Sequence, residues 1–70
     1  MTAIKKAAEA AGGQTALARI LGTSQSHVWN WINREYRAPA KHIQAISEAT
    51  GGTVSVFELL SDHENINSTD

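Results

Sequence analysis

Cysteine is absent from this 70-residue sequence, which excludes disulfides and thiolate metal sites and fits a reducing compartment. Long apolar runs are absent as well. None approaches the length that crosses a bilayer, and the opening MTAIKKAAEAAGG lacks the apolar region of a signal peptide. The expectation is a soluble cytoplasmic domain with no membrane partner. Seventy residues allow one domain at most, near the lower limit of what folds without staples.

Catalytic groupings are missing too. His27, His42 and His63 are far apart, match no metal spacing, and read as solvated or capping residues. Neither GGQTALAR nor GGTVSVFE carries the lysine of a phosphate loop. No carboxylate pair or Ser–His grouping suggests a cleft, and so short a chain has little room for one. The sequence predicts no enzyme, no metal and no cofactor.

Net charge is −1, but its distribution is uneven. Asp62, Glu64 and Asp70 all lie in the last ten residues, SDHENINSTD. Before them, four acids (Glu9, Glu35, Glu48, Glu58) face six bases (Lys5, Lys6, Arg19, Arg34, Arg37, Lys41), so the body carries +2. That is a weak footprint for a nucleic-acid partner and decides nothing alone. The composition predicts an ordered domain over 1–60 and a disordered, polar, acidic tail over 61–70.

Within the body, apolar periodicity marks helices. Ile4, Ala7, Ala8 and Ala11 form one stripe, with Thr2 placed to cap its start and Gly12–Gly13 its end. A second segment runs from Gln14 to Leu21, with Leu17, Ala18 and Leu21 on one face, and stops at Gly22. Ser24 is a natural N-cap for a third helix from Gln25 to about Asn33, turning Val28, Trp31 and Ile32 inward. REYRAP connects. Pro39 suits the first turn of a fourth helix that buries Ile43, Ile46 and Ala49 and ends at Gly51–Gly52. Ser55-x-x-Glu58 is a capping-box pattern, and Val54 is placed to staple onto Leu59. TVSVF also alternates as a strand would, but no partner strand exists elsewhere in the chain unless a second subunit provides one, so a fifth helix is favoured.

The two middle helices have the parts of a helix-turn-helix. Ala18 is the small residue that permits close crossing, and Gly22 supplies the turn. Val28 with Trp31 locks the second helix, while Leu17 and Leu21 fill the angle between the two. This leaves Gln25, Ser26, Trp29, Asn30 and Asn33 without core work, with His27 near the edge of their face. Such a helix fits the major groove, and the amides of Gln and Asn match the N6/N7 pair of adenine. A polar solvated face is the plainer alternative. Trp29 has three possible roles: against a thymine methyl or sugar, at a subunit interface, or folded back near Tyr36. Gln14 and Ser24 open helices where phosphate oxygens can be met, and Arg34, Arg37 and Lys41 flank the far end. Arg19, Lys5 and Lys6 read as solvated.

AAGGQTALARILGTSQSHVWNWI, followed by PA, ATGG and V-x-x-x-EL, resembles the small Cro-like repressors, in particular YdaS-type antitoxins and relatives of phage Cro. The resemblance covers roughly residues 3–60. It implies an all-α, five-helix lambda-repressor-like domain with a helix-turn-helix of helices 2 and 3. It also implies binding of operator DNA, commonly as a homodimer on a pseudo-palindromic site, and repression of transcription in a bacterium or prophage. By the same resemblance, Gln25, Ser26, Asn30 and Asn33 fall at base-reading positions, and Gln14 and Ser24 at phosphate positions. Trp29 departs from the family's small or polar residue, and Leu60-Ser61-Asp62 from its proline-containing ending. The rival expectation is an antitoxin-type interaction module that sequesters a toxin partner; the two roles can share one chain.

Overall fold

The computed structural model describes residues 2–67. Five α-helices account for most of them: α1 (Ala3–Ala10), α2 (Gln14–Leu21), α3 (Gln25–Asn30), α4 (Ile43–Ala49) and α5 (Val56–Asn67). A π-helical turn, Trp31–Glu35, prolongs α3, and a 3₁₀ turn, Ala40–His42, leads into α4. There is no strand among the described residues. TVSVF therefore resolves as the entry to a helix, for want of any strand to pair with.

Caps set most of the boundaries. The Thr2 hydroxyl accepts from the Lys5 N–H at 3.2 Å, and the Ser24 hydroxyl from the His27 N–H at 3.3 Å. Ser55 caps α5 through the Glu58 N–H at 3.1 Å. Only half of the expected capping box forms there, because the Glu58 carboxylate meets Lys6 Nζ at 3.4 Å. That ion pair is well exposed on both sides and contributes little. Pro39 keeps an extended ψ of 139° and stands just before the 3₁₀ turn rather than inside α4.

Each helix gives a large, fully buried side chain to a common core: Ile4, Leu17, Val28, Ile46 and Leu59, joined by Val54. Burial of each stabilises the fold by about 1.5–3 kcal/mol relative to leaving it in water. Thr50 fixes the approach to α5: its hydroxyl donates to the Ser47 carbonyl at 2.7 Å and accepts from the Val54 N–H at 3.2 Å. Val54 thereby turns inward.

The α2–α3 corner turns at Gly22, whose φ of 73° and ψ of 30° are left-handed. The Thr23 N–H donates back to the Ala18 carbonyl at 2.9 Å, closing the C-terminal end of α2.

The expected boundary at residue 60 does not hold. Residues 61–67 are the last turns of α5, and Asp62 is only 4% exposed. Its carboxylate accepts the Ala3 N–H at 2.9 Å and the Ile4 N–H at 3.0 Å. Those groups are orphans of the first turn of α1, and the carboxylate also meets the positive end of that helix. His63 Nε2 donates to the Ala38 carbonyl at 2.7 Å. Polar composition misled because these polar groups bond to partners distant in sequence. Residues 68–70 of the expected tail, with Asp70, lie outside the described residues. Among the described residues no helix is long and apolar enough to cross a membrane.

The Asp62 clamp and the Gly22 turn can each be tested by substitution. Asp62→Ala lowers the unfolding free energy in urea by about 2–3 kcal/mol, and Asp62→Asn by less, since the amide keeps one acceptor oxygen. A loss below half of that range would show the clamp to be dispensable. A Cβ at Gly22 would meet nothing within 4 Å, so the cost there is conformational. Gly22→Ala costs about 1–2 kcal/mol in a thermal melt with unchanged helical content; a neutral result would contradict the backbone argument.

Candidate nucleic-acid interface

The outer face of α3 is largely open to solvent. Gln25, Ser26, His27 and Trp29 are exposed, and Asn30 is half-buried. Trp29 keeps 45% of its surface in water, while Val28, one residue before it, has none. Asn33 is exposed, but it stands in the π-helical turn rather than in α3. The regular α-helix therefore ends at Asn30, and the Asn33 amide donates to the Trp29 carbonyl at 3.1 Å. One of its two N–H groups is occupied in holding the turn.

Two side-chain pairs organise the N-terminal end of α3. Gln25 Nε2 donates to Gln14 Oε1 at 2.6 Å, linking the first residues of α2 and α3. Thr23 Oγ1 and His27 Nδ1 are 2.8 Å apart. In the first pair Gln25 keeps its own carbonyl oxygen and one N–H, and Gln14 keeps both of its N–H groups. Sequence reasoning named Gln14 and Gln25 for different tasks and did not foresee that they are joined; the spacing of 11 residues across a turn gives no local signal.

The expected phosphate contacts are more scattered. Gln14 is half-buried at the start of α2, where no side chain caps the helix. The Ser24 oxygen already serves as the cap of α3, which leaves its O–H free to donate. Arg34 and Lys41 are exposed and Arg37 half-buried. Among the described residues, no side-chain hydrogen bond joins these three to α3. The connector that carries them turns at Tyr36, the one non-glycine residue with positive φ (58°) among those described, and the Arg37 N–H donates to the Trp31 carbonyl at 3.0 Å.

Trp29 lines a groove with Lys5 and Glu9 of α1 and with Gln14. Lys5 had no distinguishing mark in the sequence, because only the packing of α1 against the π-helical turn that follows α3 brings it there. His42 stacks at a tilt on Trp31, with ring centroids 5.4 Å apart. No grouping of histidine, aspartate and glutamate fit for a metal ion occurs among the described residues.

A protein family described as "Bacterial toxin YdaS" matches residues 4–67. The chain is also 43% identical over 58 residues to the "Putative transcriptional regulator YdaS" of Escherichia coli (strain K12), an alignment covering 83% of this chain and 59% of that protein. The chain thus spans less than two-thirds of the length of the curated relative it matches. No solved structure matches. With the family match running through all five helices, the chain belongs to the YdaS family of small all-α helix-turn-helix proteins.

Proposed function

We propose that this protein is a sequence-specific DNA-binding transcriptional repressor of the Cro-like kind, non-enzymatic and cytoplasmic, that lays residues 25–33 in the major groove of operator DNA. The observation that carries this reading is the Gln14–Gln25 pair at 2.6 Å. Holding one N–H of Gln25 in place leaves its remaining donor and acceptor oriented together, as the N6/N7 edge of adenine requires. Ordering that side chain in advance also reduces the entropy lost on binding.

Ser26, Asn30 and Asn33 read neighbouring bases in this scheme, and Trp29 borders them. Gln14, Ser24, Arg34, Arg37 and Lys41 meet phosphates and set the register. A relative whose printed name is that of a transcriptional regulator supports the role. The protein acts as a homodimer on a pseudo-palindromic site, because one module of this size gains affinity and register from a second half-site. Val56, Phe57 and Leu60, the exposed apolar residues near the start of α5, offer a surface for the second copy; Phe57 is 75% exposed.

A second reading draws on the family description, which names a toxin where the sequence had led to an antitoxin. In it, the same surface of α5 binds a protein partner from a toxin–antitoxin pair. The Gln25 face has no task under that reading alone.

Selection from random-sequence duplexes at moderate salt separates the two. Recovery of a short inverted repeat is expected; recovery of no motif would move the weight to the partner-binding reading. On the selected site, Gln25→Ala costs about 1–3 kcal/mol and relaxes preference at one base pair. Arg37→Ala weakens binding to all sequences alike and flattens the salt dependence by about one unit. If Gln25→Ala bound the site as the parent does, Gln25 would not be a reader.

A further inference from the structure

Trp29 leaves much apolar surface in water beside a polar face, and its surroundings indicate what covers it. The indole walls a groove of about 470 Å³ together with Lys5 and Glu9 from α1, Gly13 and Gln14 at the start of α2, and Asn33. Gln14 belongs both to this groove and to the pair with Gln25, so the groove continues directly from the reading face.

Its lining sets donors beside a single carboxylate. Gln14 Oε1 is taken by Gln25, which leaves the amide N–H groups of Gln14 to donate. No side chain caps α2 at Gly13, so the N–H groups of its first turn have no side-chain acceptor. Lys5 adds a cation. Glu9, one helical turn further along α1, is the only carboxylate in the lining. The one ion pair among the described residues is Lys6–Glu58, so neither Lys5 nor Glu9 is neutralised by a partner. An apolar ring beside a cation and the free N–H groups of Gln14 suits a sugar flanked by phosphates.

We propose that the groove between α1, the start of α2 and α3 seats one sugar–phosphate strand of the duplex. Trp29 lies against a deoxyribose, Lys5 meets a phosphate, and Glu9 is an opposing charge that holds the contact below its full strength. This extends the interface to α1 and moves Trp29 from base reading to the backbone. It rests on the DNA-binding reading above.

Non-specific binding depends on the backbone alone, so a short labelled duplex of random sequence is the right probe, titrated by fluorescence anisotropy over a salt series. Lys5→Gln is expected to weaken binding and flatten the logarithmic salt slope by about one unit. Glu9→Gln is expected to act in the opposite direction, tightening binding about two- to five-fold at low salt. Trp29→Ala weakens binding to every duplex by a similar factor and leaves the slope unchanged, because the indole carries no charge; Trp29→Leu serves in its place if the melting temperature of Trp29→Ala falls. Failure of the parent protein to bind any duplex would overturn the DNA reading itself. With normal parent binding, Lys5→Gln and Glu9→Gln that leave affinity and slope untouched would overturn the groove assignment alone. A Trp29→Ala defect confined to one sequence would return Trp29 to the base readers and overturn its placement on the backbone.

Discussion

Two backbone N–H groups at the start of α1, those of Ala3 and Ile4, have no acceptor in their own helix, and the Asp62 carboxylate supplies one for both. An isolated helix of eight residues is too short to persist in water, so α1 exists only because it is held against the rest of the domain. Asp62 does this from near the opposite end of the chain. The contact closes the bundle between its first and last helices, and Ile4, Ala7 and Ala8 then meet Leu59 and Val54 in one core. A buried carboxylate is costly unless it is hydrogen-bonded, and here both oxygens are used.

The remaining helices depend on that closed core. Val28 and Leu17 are buried in it completely, and these side chains set how α3 lies across α2. Gly22 permits the turn without strain, Ser24 caps α3, and the Gln14–Gln25 bond ties the two helix starts together. Side chains on short, braced helices lose little freedom when they meet a ligand. The price of this arrangement is a large apolar ring, Trp29, left at the edge of a polar face, and a π-helical turn that interrupts the helix just beyond it.

Much of this fold is legible in the sequence, and the reason differs by element. The starts of α1, α3 and α5 follow from Thr2, Ser24 and Ser55, whose hydroxyls bond to N–H groups three residues on. The helix-turn-helix could be read from Ala18, Gly22 and Val28 because close crossing and a left-handed turn each demand a particular residue type. The exposure of Trp29 followed from the burial of its neighbours. By contrast, SDHENINSTD has the composition of a disordered tail, yet its third and second residues are bonded to Ala38 and to the start of α1. Glu58 satisfied a capping pattern in sequence but found Lys6 in space. The end of α3 at Asn30 left no local mark, since Trp31 and Ile32 continue the apolar stripe whether the turn is α or π.

The sequence by itself determined the five helices, the corner between the second and third, and the polar face that corner leaves uncovered. These are interactions within a few residues, where backbone sterics, caps and periodicity act whatever the rest of the chain does. Only the tertiary structure decided that Asp62 is a clamp, that Gln14 braces Gln25, and that Lys5 and Glu9 share a groove with Trp29. Each of these joins groups 11 or more residues apart, as with Gln14 and Gln25. Such pairs come within reach only after the core has formed, and no local pattern of residues records which of them will meet.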